Sequence, residues 1–209
     1  EGPLPSALAA AAAGARFAYL LPNFQNPTGH VYTEARRVAL VAAALAAGKP
    51  HSLLHVDRAE IDLPADVDPY DDAVYARARE NFVRLQSEGV LVREPEPAVY
   101  FYRQTMGGHC QTGLVAGCHI EDYERDVIKK HEKTRKVKED DRTRLVDTLS
   151  AHTGPVFLTY RDVAAVDAIE REVTSSQAPM CDFVADDGIG HTVWRVTGER
   201  ATALASLFA

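Results

Sequence analysis

The sequence contains few of the residues that stabilise small secreted proteins or anchor proteins in membranes. Three of its 209 residues are cysteine and one is tryptophan. An odd cysteine count without a Cys-x-x-Cys pair argues against a disulfide framework and favours a reducing compartment. No apolar run approaches the roughly 18 residues that a membrane-spanning helix needs. We therefore expect a cytoplasmic protein without a membrane partner.

A surplus of positive charge is also lacking. The chain carries 23 lysines and arginines against 30 acidic residues, which gives a net charge of -7. General nucleic-acid binding requires enough cations to neutralise phosphates, so we expect no nucleic-acid partner. The hydrophobic content of 46% is ordinary for a soluble globular protein. A small-molecule substrate is the expected partner, and composition leaves the oligomeric state open.

The apolar and turn residues predict helices that alternate with strands and hairpins, which is typical of an α+β fold with mixed or antiparallel strands and packed helices. The predicted helices cover residues 34–47, 69–88 (with Asp68 as the N-cap), 121–149, 162–173 and 199–208. The predicted strands cover residues 17–21, 52–56, 90–92, 99–103, 111–120, 155–160, 181–185 and 192–196.

One motif lies near the N-terminus. The segment Pro-Asn-Phe-Gln-Asn-Pro-Thr-Gly ends at Gly29 and precedes a helical pattern from Glu34. Residues 17–47 resemble the cofactor-binding turn of fold-type I pyridoxal-phosphate aminotransferases. This resemblance implies that Asn26 hydrogen-bonds the pyridoxal ring, with pyridoxal phosphate as cofactor. No lysine has a family-like context for a Schiff base, so we expect residues 1–48 to be an aminotransferase-like fragment, partly disordered.

A second resemblance covers the rest of the chain. From Pro50 the sequence reads Pro-His-Ser-Leu-Leu-His-Val-Asp-Arg-Ala-Glu-Ile-Asp-Leu-Pro, and further segments match in order up to residue 196. Residues 50–209 resemble the domain-of-unknown-function family 1015 and are expected to form one α+β domain, truncated at its C-terminus. The family carries a later Asp-Gly-His-His-Arg segment similar to ParB/sulfiredoxin-like proteins, some of which are small-molecule kinases. The resemblance thus implies part of a nucleotide-dependent small-molecule kinase using Mg²⁺ and ATP or ADP, inactive as this fragment.

A dense run of charge supplies the candidate site for that chemistry. Three cations are predicted to bind phosphate or nucleotide: Lys130, Arg135 and Arg142. Three further residues are predicted to be catalytic, the two carboxylates by holding Mg²⁺ or accepting a hydroxyl proton: His131, Asp140 and Asp141. The alternative is a solvated helix with ion pairs between residues four apart.

Other groups of polar and aromatic residues are weaker candidates. His51, His55 and Asp57 would share one face of the predicted strand and could bind a metal or move protons, although core and loop histidines give the same pattern. No dedicated metal site is predicted. The acidic turn at residues 186–191 is more typical of a hairpin than of a cation site. Tyr100, Tyr102 and Trp194 could stack bases, although aromatic residues on a strand are more typical of core packing. The aminotransferase fragment and a non-catalytic binding module remain alternative functions.

Overall fold

The computed structural model describes residues 34–129 and 135–208. These residues divide into two compact units. One unit comprises residues up to 92 together with the segment that ends at 157, and the other comprises 93–129 and 158–208. The described residues contain seven α-helices and one four-stranded antiparallel sheet, which confirms the predicted α+β class.

The helices and strands are named here in chain order. The helices are α1 (Glu34–Ala46), α2 (Leu54–Asp57), α3 (Asp72–Ser87), α4 (Ile120–Glu124), α5 (Lys136–Leu149), α6 (Ala164–Ser176) and α7 (Gly198–Leu207). The strands are β1 (Val99–Met106), β2 (His109–Val115), β3 (Cys181–Val184) and β4 (Gly190–Val196). A short 3-10 turn, Ala59–Asp62, follows α2.

The first unit is built around α3. This helix turns one apolar face inward, because Val74, Ala78 and Leu85 recur at helical spacing and are buried. They pack against residues of α2 and α5 in a single hydrophobic cluster. A smaller cluster joins alanines on one face of α1 to Ile61 of the 3-10 turn, so α1 packs against the segment that follows it.

The second unit is built around the sheet, whose strand order is β2-β1-β4-β3 with all neighbours antiparallel. Phe101 of β1 lies opposite Trp194 of β4, and both side chains are buried. They form a hydrophobic cluster with Val166, Val173 and Leu204 of α6 and α7. The sheet therefore has one face packed on two helices.

The structure corrects several predicted boundaries. The predicted strand 52–56 is wrong, because Leu54–Asp57 is a helix; a short apolar run does not distinguish the two structures. Residues 90–92 form no strand, since the amides of Val90 and Leu91 both donate to the Leu85 carbonyl and close the end of α3. Residues 155–160 form no strand either, and Phe157 is 81% exposed.

Two further corrections concern helix ends. The predicted helix 121–149 is not continuous, because α4 ends at Glu124 and α5 begins at Lys136. The N-cap of α3 is Asp71, whose carboxylate accepts a hydrogen bond of 2.9 Å from the Ala73 amide. Asp68, the predicted cap, accepts from the Tyr70 amide in the preceding turn. Both carboxylates accept hydrogen bonds from nearby backbone amides, but Asp71 is the residue that caps the helix.

Candidate functional site

Helix α5 and its N-cap carry the four predicted phosphate-binding and catalytic residues that the structure describes: Arg135, Asp140, Asp141 and Arg142. Its N-cap, Arg135, has extended backbone and makes no side-chain capping hydrogen bond. The Arg135 carbonyl accepts from the amides of Lys138 and Glu139, at 2.9 and 3.1 Å. The first amides of a helix have no partner within the helix, and this terminus receives none from a cap side chain.

The charges around this terminus are unusual for a helix start. The positive end of a helix dipole favours acidic side chains, yet Lys136 and Lys138 both lie in the first turn of α5. Glu139 is the one acidic residue in that turn. Lys136 pairs with Asp140 across 2.5 Å, one helical turn on, and this hydrogen bond raises the pKa of the Lys136 ammonium group. Both side chains are mostly exposed, so the pair can rearrange around a bound anion.

Asp140 and Asp141, although adjacent, lie in opposite environments. Asp141 is 8% exposed, and its Oδ1 accepts a hydrogen bond of 2.8 Å from the hydroxyl of Tyr75. Its Oδ2 lies 3.0 Å from the guanidinium of Arg142. Burial, and then the hydrogen bond to Asp141, raises the pKa of Tyr75 to about 12. Asp141 therefore holds Arg142 in place, whereas Asp140 is the carboxylate open to solvent.

A small recess beside Asp141 is lined by side chains from both of the candidate clusters in the first unit. Asp57 and Arg58 lie on one side and Asp141 and Arg142 on the other, around a space of about 20 Å³. A space of this size holds one water molecule at most. Arg58 forms an ion pair of 2.6 Å with Glu60. The recess is thus a packed polar cluster rather than a substrate pocket.

The cluster predicted on residues 51–57 does not form a common site. Because residues 54–57 are helical and His51 lies in the turn before them, the side chains take separate partners: His51 pairs with Glu88 at 3.2 Å, His55 with Asp62, and Asp57 accepts from the hydroxyl of Thr153. Within the part of the chain that the structure describes, no group of three histidine, cysteine or acidic side chains is placed to hold a metal ion.

A polar cluster that sequence reasoning missed surrounds His55. Both carboxylate oxygens of Asp62 lie within 3.0 Å of the ring Nδ1 of His55. The amide of Asn81, which is buried, donates to Asp62 at 2.8 Å and to the His55 carbonyl at 2.7 Å. The only sequence signal was a histidine and an acid within one motif, and neither periodicity nor spacing pointed to Asn81.

Two further candidate groups, the strand aromatics and the acidic turn, lie in the second unit. Tyr100 and Tyr102 lie on one sheet face, with the Tyr102 hydroxyl 2.6 Å from the Nδ1 of His191, while Trp194 is buried on the other face. The acidic turn closes a β-hairpin, in which Asp187 accepts from the Ile189 amide. The other three predicted residues lie outside the described residues and stay predictions: Asn26, Lys130 and His131.

Together, the fold and these sites define an α+β protein with a cationic helix terminus and a partly buried histidine–carboxylate cluster. The chain belongs to the family described as protein of unknown function DUF1015, whose sequence model matches residues 32–209. The match includes α1, which the sequence had assigned to the aminotransferase-like fragment. No curated protein and no solved structure matches the chain. The aminotransferase resemblance and the boundary between residues 48 and 50 stay predictions. No helix among residues 34–129 and 135–208 is long and apolar enough to span a membrane.

Proposed function

We propose that this domain binds the phosphate groups of a nucleotide at the N-terminus of α5, as part of a nucleotide-dependent small-molecule kinase. The observation that carries the proposal is the concentration of cations at a helix start where the N-cap side chain makes no capping hydrogen bond. A helix N-terminus attracts anions through its free amides and its dipole. Without an anion, Lys136 would oppose that dipole, so a bound phosphate gives its position a physical reason.

The proposal assigns a distinct role to each charged side chain near this terminus. Arg135, Lys136 and Arg142 would bind phosphate oxygens, because guanidinium and ammonium groups form charge-assisted hydrogen bonds with them. Arg142 is 48% exposed although Asp141 holds one side of it, so part of its guanidinium is open to a ligand. Asp141 would act indirectly, by fixing that guanidinium.

Asp140 is the described carboxylate best placed to take part in phosphoryl transfer. Its side chain is 60% exposed and its partner, Lys136, is also a proposed phosphate ligand. Mg²⁺ in kinase sites is commonly held by one or two carboxylates together with the substrate phosphates, so one exposed carboxylate fits that donor set. A bound Mg²⁺ would neutralise charge on the transferred phosphoryl group. Asp140 itself would hold the ion or accept the proton of the attacking hydroxyl.

Phosphate binding can be tested by titrating the protein with ADP and with pyrophosphate while following backbone amide resonances. We expect the largest shifts at the amides of Lys136 and Val137. Lys136→Gln should weaken binding about fivefold, the value expected for losing one charge at a helix terminus. Lys129→Gln is the matched control, because Lys129 is equally exposed, forms a similar ion pair with Asp126 and is not part of α5. It should change the affinity less than twofold.

Two results would contradict the proposal. One is an absence of amide shifts in α5 at millimolar ADP; the other is equal weakening by the two lysine substitutions, which would indicate non-specific charge attraction. The kinase step is tested separately, by ATP consumption in the presence of Mg²⁺ and small hydroxyl compounds. Consumption that Asp140→Asn leaves unchanged would remove Asp140 from the reaction but not from phosphate binding.

A further inference from the structure

A second candidate ligand site lies between the end of α1 and the 3-10 turn. It is a cleft of about 270 Å³ that shares no lining residue with the α5 terminus. Its walls are largely apolar and include Ala43, Ala46, Ala47 and Ile61. A cavity of about 150 Å³ is enough to bind a benzene-sized molecule, so this cleft has room for a small ring compound with one polar substituent.

The polar end of the cleft contains hydrogen-bond acceptors. His55 and Asp62 both line it, and their side chains are 18% and 25% exposed. When Nδ1 of His55 donates its proton to Asp62, the neutral ring keeps a lone pair on Nε2. This Nε2 is buried and has no hydrogen-bond partner among the described residues. A buried polar atom without a partner is uncommon and calls for an explanation.

Asp62 adds negative charge to this acceptor pair. Its oxygens take hydrogen bonds from His55 and Asn81, and a carboxylate can accept more than these. Asn81 donates both of its described hydrogen bonds inward, to Asp62 and the His55 carbonyl, and so it fixes the carboxylate in position. Among the described lining residues, Lys49 is the one lysine or arginine, and it is exposed.

We propose that the cleft binds a small primary amine with an apolar body, whose ammonium group donates hydrogen bonds to Asp62 and to Nε2 of His55. An ammonium group supplies three donors and a charge opposite to that of Asp62. A carboxylate or phosphate ligand would be repelled by Asp62, and a ketone has no proton to donate. The apolar body would pack against the alanine and isoleucine walls. Contact with Nε2 requires the imidazole or the wall beside it to move, because this atom is covered in the free protein.

The test uses four probes that share a six-membered ring: cyclohexylamine, cyclohexanol, cyclohexanone and cyclohexanecarboxylate. Binding is followed at neutral pH through the imidazole nitrogen resonances of His55. We expect cyclohexylamine to bind in the millimolar range and to shift the Nε2 resonance. It should bind about fivefold or more tighter than cyclohexanol, because it adds a charge-assisted hydrogen bond. The ketone and the carboxylate should give no saturable shift.

Substitutions in and beside the cleft distinguish binding in the cleft from binding elsewhere on the protein. Ala47→Leu fills the cleft without touching the polar cluster and should abolish amine binding. Ala44→Leu makes the same change on α1 at a position that does not line the cleft, so it should leave binding unchanged. Asp62→Asn, if it folds, should lower the affinity for the amine to that for the alcohol.

The proposal is overturned by any of three results: no His55 shift at tens of millimolar amine, amine binding that survives Ala47→Leu, or equal affinity for the amine and the carboxylate. The α5 site can fail its own test without affecting this one, since the two sites share no residue.

Discussion

At the scale of single residues, two adjacent aspartates show how burial decides the role of a carboxylate. Asp141 is 8% exposed and bonded to Tyr75 and Arg142, whereas Asp140 is exposed and pairs with a lysine on its own helix. Removing a buried carboxylate leaves its donors without a partner, and removing an exposed one does not. Substitutions of these two aspartates therefore compare the same side chain in a buried and in an exposed position.

We expect Asp141→Ala to lower the free energy of unfolding by roughly 2–4 kcal/mol, since Tyr75 and Arg142 both lose their shared acceptor. Asp140→Ala should change it by less than about 0.5 kcal/mol, as is usual for an exposed ion pair. Urea denaturation followed by circular dichroism measures both. Equal losses in the two variants would contradict the view that Asp141 is a structural anchor.

The raised pKa of Tyr75 predicts a pH dependence of stability at alkaline pH. The folded protein holds the Tyr75 proton more tightly than the unfolded chain, because burial and Asp141 both disfavour the phenolate. This contribution to stability is fully present below pH 10 and is lost as the pH rises from 10 to about 12. The maximum slope for one proton is about 1.4 kcal/mol per pH unit.

Tyr75→Phe lacks the titrating hydroxyl, so the difference in stability between the wild-type protein and this variant isolates the contribution of Tyr75. The wild-type protein should be the more stable one near neutral pH, and its advantage should narrow as the pH rises from 10 to 12. Urea denaturation of both proteins across that range gives the difference directly, and the remaining tyrosines cancel. A difference that stays constant with pH would show that the phenol of Tyr75 titrates as it does in the unfolded chain.

At the scale of elements, the start of α5 has an N-cap residue that does not stabilise the helix. Ser, Thr, Asp or Asn at the N-cap satisfies a free amide, whereas Arg135 makes no such bond. The extended backbone of this residue already suits a capping side chain. The proposed anion site therefore predicts that a better cap at this position would raise stability and lower anion affinity.

Arg135→Ser should therefore stabilise the protein by about 0.5–1 kcal/mol while weakening pyrophosphate binding severalfold. Thermal unfolding and the amide titration measure the two effects on one protein. Arg125→Ser is the control, because Arg125 is an exposed arginine at the end of α4 and offers no helix start to cap. A variant that loses stability together with affinity would place Arg135 in the structural framework instead.

At the scale of the whole molecule, each unit has its own hydrophobic cluster, and the two clusters share no residue. The single tryptophan, Trp194, is buried in the second unit, so its fluorescence reports on that unit alone. The helices α1, α3 and α5 of the first unit hold more residues than α4, α6 and α7 of the second, so the larger part of the circular dichroism signal comes from the first unit. Fluorescence thus follows the second unit, and the larger part of the circular dichroism change follows the first.

Leu85→Ala should destabilise the first unit by about 2–5 kcal/mol, because Leu85 is 1% exposed and its removal leaves a cavity. We expect the larger part of the circular dichroism change to move to lower urea while the Trp194 fluorescence transition stays in place. Val83→Ala, at an exposed position of the same helix, should move neither. Parallel movement of both transitions after Leu85→Ala would show that the units unfold as one.

The sequence by itself determined the features that depend on local pattern. The helix α3 follows from apolar residues at helical spacing, and the hairpin of β1 and β2 follows from two strand-like runs around Gly107 and Gly108, both of which have positive φ. The family also followed from sequence, because ordered matches along a chain are specific. Helical periodicity and turn residues depend on interactions between residues close together in the sequence, so the sequence shows them directly.

Only the tertiary structure decided how distant polar residues meet. Asn81 donates hydrogen bonds to Asp62 and to the His55 carbonyl, and no sequence periodicity relates these three residues. Tyr75 donates a hydrogen bond to Asp141, which lies 66 positions further along the chain. The short apolar segments 52–56 and 155–160 were mistaken for strands because apolarity alone does not fix backbone conformation. Neighbours distant in sequence supply the packing and hydrogen bonds that make that choice, so the roles of Asp141 and His55 could be assigned only in the folded chain.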